Sequence, residues 1–169
     1  MKAVIGIDPG RTGAAVILPE HGKPELFNFK GVNTHDWFWE VHDRLIDFDD
    51  VTGILERVGS KLGNRMQSVF TFGKNTGKAE MLLEVCNTQW CTVEPQVWEA
   101  YYHLIGGTKE DAAKRARKLY PWLSIDKHNA DAVLIADYGW RQRFSELNHD
   151  YTGKLIVPKR YERKNKMEL

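Results

Sequence analysis

Three carboxylates and one imidazole occupy positions where a folding chain ordinarily places apolar groups. Asp8 ends the apolar run of A-V-I-G-I-D-P-G, directly before a Pro-Gly break, and Glu56 closes a similar run in V-T-G-I-L-E-R-V. A lone acid at a strand end ordinarily meets solvent or a backbone donor; two in the same setting are suggestive and no more. Asp131, in H-N-A-D-A-V-L-I-A-D-Y-G-W, falls in line with Leu134, Ile135 and Tyr138 at helical spacing, the side that would face a sheet. His128 lies three residues earlier and shares that face, making an H-x-x-D pair. An ionised carboxylate turned into such an interface is costly unless a metal or another partner neutralises it. Asp8, Glu56, His128 and Asp131 form a donor set suited to divalent cations with hard oxygen ligands. Two such cations about 3.5–4 Å apart can activate a water and stabilise the leaving oxygen in phosphodiester cleavage. Asp8 would bridge them, and its glycine neighbours would let a phosphate backbone come close. Asp137, on the other side of the same helical segment, reads as solvated and stays outside the set.

The elements that must carry these residues follow from periodicity and turn chemistry. Residues 3–8, 13–19 and 25–29 read as strands separated by Pro-Gly and His-Gly-Lys-Pro turns. Asn33 or Thr34 can cap a helix reaching about Phe48, with Trp37, Val41, Leu45 and Phe48 on one side. A strand is expected over 51–58, a polar, glycine-containing connection over 59–74, a helix over 75–87 and a short strand near 90–93. Pro95 starts a helix carrying Val97, Trp98, Tyr101 and Leu104, and Gly106-Gly107 ends it. Thr108 and Asp111 form a capping box for 109–119, and a last helix is expected over 128–144. Strands first and helices later, with β-α-β between, predict an α/β chain: a mixed sheet with helices on its faces.

The 169 residues fit one domain, expected over 1–145, with a basic and partly mobile C-terminal extension over 146–169. No apolar run approaches the roughly 20 residues of a membrane span, and the start of the chain lacks a signal-peptide pattern. Cys86 and Cys91 match no zinc spacing and read as reduced thiols, so a cytoplasmic setting is expected. Net charge is only +1, but its distribution is uneven. Arg57, Lys61, Arg65, Lys74 and Lys78 lie in a segment with no acid, interleaved with Phe70 and Phe72. Lysines near a helix start can hold phosphates, and an aromatic can stack on an unpaired base. Taken singly, either Phe reads as well as a core anchor. Lys109, at the start of the 109–119 helix, could extend the phosphate track or simply be solvated.

In order, I-G-I-D-P-G, I-L-E-R-V, F-T-F-G-K-N-T-G, V-E-P-Q-V-W and H-N-A-D-A-V-L-I-A-D-Y-G resemble the RuvC family of Holliday junction resolvases over about residues 3–144. The resemblance is nearest to the compact RuvC-like nucleases of phage and bacterial genomes. It implies an RNase H-like fold and a homodimer without small-molecule cofactor. It also implies Mg²⁺-dependent paired nicking of four-way DNA junctions in a bacterial or phage-infected cell, with Mn²⁺ able to substitute. The family's four metal positions fall on Asp8, Glu56, His128 and Asp131, His replacing Asp at the third in some members. Two departures stand out. Gly59 occupies the place of a junction-probing Phe, leaving Phe70 or Phe72 to take that task, and Lys109 is the best counterpart of the basic residues before the last helix. An RNase H-fold nuclease for RNA or simpler branched DNA, and a non-catalytic junction-binding protein, are the alternatives. Actin-like sugar kinases share an I-D-x-G opening but need a second lobe for which 169 residues leave no room.

Overall fold

Alternation along the first strand sets the layering. In the computed structural model the described residues are 1–57 and 66–144; Lys61, Arg65 and the extension 146–169 lie outside them. On β1 (Lys2–Asp8), Val4 faces one apolar cluster while Ala3, Ile5 and Ile7 face another. A strand buried on both sides is central, and β1 is the middle of a five-stranded sheet of order β3-β2-β1-β4-β5. Its antiparallel neighbour is β2 (Ala14–Pro19), which pairs antiparallel with β3 (Glu25–Asn28). On its other side β1 runs parallel to β4 (Asp50–Glu56), and β4 runs parallel to β5 (Gln89–Val93).

Helices cover both faces. One face carries α1 (Thr34–Leu45) and α2 (Met66–Val85), which bury Trp37, Val41, Leu45, Ala79, Leu82 and Leu83 against Ile5, Ile7 and Leu55. Asn33 caps α1, its side-chain oxygen accepting the Asp36 N–H at 2.9 Å. The other face carries α3 (Pro95–Tyr101), α4 (Lys109–Leu119) and α5 (Ala130–Phe144). The Thr108–Asp111 capping box is present as expected. Small residues let α5 lie very close to the sheet: a Cβ on Gly6 would stand 2.3 Å from the Ala136 backbone nitrogen, and one on Gly139 would stand 2.3 Å from Ile54 Cγ1. No helix of the described residues is long and apolar enough to cross a membrane.

Several boundaries differ from expectation. α2 begins at Met66, so Phe70, Phe72 and Lys74 stand on a helix and not in a loop. None of residues 69–78 is buried, so the first half of α2 has no apolar stripe to betray it; its glycines argued for a loop. α1 ends at Leu45, before Phe48, and α3 ends at Tyr101, before Leu104. α5 starts at Ala130, leaving His128 in the preceding turn.

Candidate active site

The period of two that buries β1 and β4 also aims their terminal acids. Asp8 follows Val4 and Gly6 on the α5 side of β1, and Glu56 follows Ile54 on the same side of β4. The register pairs Ile7 with Leu55, so the two acids end adjacent parallel strands side by side. Across from them, the first turn of α5 presents Asp131. Asp8 and Asp131 are only 6% and 5% exposed, whereas Glu56 is partly buried. Three carboxylates from distant parts of the chain therefore share one dry end of the sheet, together with the ammonium of Lys109 from α4.

Their charges act on one another. Burial raises the Asp8 carboxyl above its usual range, against the N–H of Gly10, which donates to Oδ1 at 2.8 Å; the Asp131 charge adds to the rise and Lys109 opposes it. Glu56 is pushed up to about 8 by burial and then by the Asp8 charge. Its proton is thereby held to higher pH, and the protonated carboxyl can donate a hydrogen bond to Asp8, which works against the rise there. Trp98 Nε1 donates to Glu56 Oε1 at 3.1 Å and favours its ionised form. Lys109 pairs with Asp131 Oδ2. Burial works to lower the Lys109 pKa, but attraction to Asp131, Asp8 and Glu56 outweighs it and the pKa rises.

His128 is positioned differently from the helix-face expectation. It lies in the turn before α5, and its Nδ1 meets Thr12 Oγ1 at 3.2 Å, in the turn that follows Asp8. That turn before α5 is firmly built. Asp126 Oδ1 accepts the N–H groups of His128 and Asn129, and buried Asn129 reaches Asn28 and the Ser124 carbonyl. Among the described residues no three His, Cys, Asp or Glu side chains close around a common point as the ligands of one ion would. Lys109 instead takes up Asp131. The donor set nevertheless fits a divalent cation: hard oxygens, partly dried, with one ammonium set against three acids.

The expected nucleic-acid contacts are scattered. Arg57 is exposed at the end of β4, its Nη1 4.0 Å from Glu94 Oε1. Phe70 is 73% exposed on α2, Phe72 is partly buried, and Lys74 is exposed. Lys78 Nζ donates to Thr34 Oγ1 at 2.6 Å. Lys109 sits in the carboxylate cluster and not on an outer track.

Sequence reasoning missed Trp98, whose link to Glu56 crosses 42 positions of chain and leaves no local pattern. It also misjudged Asp137, which is 2% exposed. Asp137 accepts from the Tyr102 and Tyr120 hydroxyls at 2.5 and 2.6 Å and from Arg141 Nε at 2.7 Å. The correction is physical: α5 is covered by the sheet on one side and by α3 and α4 on the other, so it has no solvated face at that point.

No protein-family model and no curated protein matches the sequence. Solved structures do match. RuvC of Thermus thermophilus in complex with a Holliday junction substrate superposes with TM-score 0.58 at 15% identity, over 84% of this chain and 96% of that one. A second Thermus thermophilus RuvC structure gives TM-score 0.53 at 18% identity, over 83% and 95% of the two chains. At such identities the likeness is one of fold: this chain has the RNase H-like fold in its RuvC form.

Proposed function

We propose that the protein is a metal-dependent endonuclease that cuts four-way and other branched DNA by hydrolysing a phosphodiester bond at the Asp8–Glu56–Asp131 cluster. The observation that carries this reading is the meeting of three acids and one lysine, from four separate elements, at one end of the central strands. A protein that only bound DNA would gain nothing from three carboxylates facing phosphates. When bound, two divalent cations such as Mg²⁺, or Mn²⁺ in its place, would supply the activated water and neutralise charge on the leaving oxygen.

The chain's own part is to hold and orient. Gly10 N–H fixes Asp8 Oδ1, and Trp98 fixes Glu56 Oε1 in the orientation that favours its charged form. Lys109 steadies Asp131 and, in substrate, would meet a phosphate oxygen. His128 would be a fourth ligand through Nε2, with Nδ1–H donating to Thr12 Oγ1 and so setting the tautomer. Arg57, Lys61, Arg65, Lys74 and Lys78 would track the backbone, and exposed Phe70 is the aromatic best placed to stack on an unpaired base. Two copies of the chain would set two such sites on opposing strands and give paired nicks.

Purified protein with Mg²⁺ should cut four-way junctions in preference to plain duplex or RNA. Asp8→Asn and Glu56→Gln should each lose more activity than the roughly 10–100-fold typical of changes one layer out from a metal. Junction binding should survive both substitutions and weaken steeply with added salt. Equal cutting of duplex and junction, or an active Asp8→Asn protein, would overturn the reading.

A further inference from the structure

On the face of the sheet away from α5, a cavity of about 180 Å³ opens between the β1–β2 turn, the start of α1 and the middle of α2. Arg11 enters it from the turn and Lys78 from α2, and neither forms an ion pair with a described carboxylate. The walls are braced. Lys78 donates to Thr34 Oγ1, and Asn75 Nδ2 donates to the Gly10 carbonyl at 3.3 Å, joining α2 to both other sides. Phe29 and Trp37 line the cavity as an edge-to-face pair with centroids 4.7 Å apart. Trp37 is 4% exposed, and its indole N–H has no partner among the described residues.

Two cations with no ion pair among the described residues, beside an aromatic pair, suit an anion joined to a planar body. The volume lies below the roughly 300–1,000 Å³ of a site for a whole drug-sized ligand, which suits a small group or a single unit of a longer molecule. The turn that supplies Arg11 begins at Asp8, three residues earlier, and Gly10 within it touches both Asp8 and Asn75. We infer that this cavity receives one nucleotide of the strand engaged at the carboxylate cluster, its phosphate on Arg11 and Lys78 and its base against Trp37 and Phe29. The inference rests on the nuclease reading for the nature of the strand. It places Lys78, one of the cations proposed to track the backbone, in a built subsite together with Arg11, Thr34 and Asn75.

The test uses the ¹⁵N-labelled full chain with EDTA present, titrated separately with thymidine 5′-monophosphate, thymidine and inorganic phosphate. The readout is the indole N–H resonance of Trp37, assigned by its loss in Trp37→Phe. The nucleotide should shift that resonance saturably, and more tightly than either fragment. Lys78→Met and Arg11→Met should each weaken it about tenfold, the worth of one charge-assisted contact, while both variants remain folded at the titration temperature by their melting curves. An unmoved Trp37 resonance, phosphate binding as tightly as nucleotide, or variants that bind like wild type would overturn the inference. Because no metal or cleavage is involved, nucleotide binding without nuclease activity would sink the nuclease reading alone. Cleavage without nucleotide binding here would sink the cavity alone.

Discussion

Trp98 sets how readily Glu56 gives up its proton. Its indole N–H stabilises the charged carboxylate, while burial and the Asp8 charge favour the neutral acid. Trp98→Phe removes the donor, so the Glu56 pKa should climb further and the acidic limb of the cleavage profile should move to higher pH by about one unit. A single-turnover pH profile measures this directly; superposition on the wild-type curve would show that Trp98 does not tune the acid. At this scale the sequence was legible where a residue broke a local rule. Asp8, Glu56 and Asp131 interrupt apolar patterns, and all three converge. His128 misled because an H-x-x-D pair shares a helix face only if both residues are helical, and Asp126 caps the chain just after it. Trp98 and Asp137 follow no local rule: one looks like a core aromatic and the other like a surface acid until their distant partners are known.

Among the elements, α5 matters most, since it brings Asp131 to the two strand ends. Its depth depends on Gly6 and Gly139, where any side chain would strike the opposite element. Gly6→Ala puts a methyl 2.3 Å from a backbone nitrogen that cannot move without the whole helix. A loss of about 1–3 kcal/mol is expected in urea denaturation, with cleavage falling more than DNA binding. Unchanged stability with full cleavage would show that α5 tolerates displacement. The central strands were readable as short, continuous apolar runs bounded by turn residues, and α1 by burial at helical spacing, as Trp37, Val41 and Leu45 show. The first half of α2 was not, since helix formation there is unaccompanied by burial and Gly73 and Gly77 spoke for a loop.

For the molecule as a whole, the carboxylate cluster couples folding to pH and, on the proposed function, to divalent cations. Glu56 titrates near 8 when folded against 4.5 for the free group, so the folded state holds an extra proton between those values. Its contribution is full below about pH 4.5 and is lost as pH rises through about 8. In EDTA the melting temperature should therefore fall across that window, with the raised Asp8 acting in the same sense, and Glu56→Gln should flatten the slope. Mg²⁺ favours the charged carboxylates and should restore more stability at pH 8 than at pH 5. Equal Mg²⁺ effects at both would contradict a site built on these acids. The mixed sheet was legible in a hairpin followed by β-α-β, which leaves few arrangements, while the strand order itself is read from the structure. The uneven charge fitted a solvated surface better than a phosphate-binding face, and nothing in it brings Lys78 and Arg11 together at a cavity, which depends on how α2 lies against the β1–β2 turn. The most direct test is anomalous diffraction from crystals soaked in Mn²⁺. Manganese peaks are expected within coordination distance of the Asp8, Glu56 and Asp131 carboxylates, with Lys109 turned away from Asp131. Peaks only at other places, with Lys109 still on Asp131 at saturating Mn²⁺, would contradict a metal nuclease at this end of the sheet.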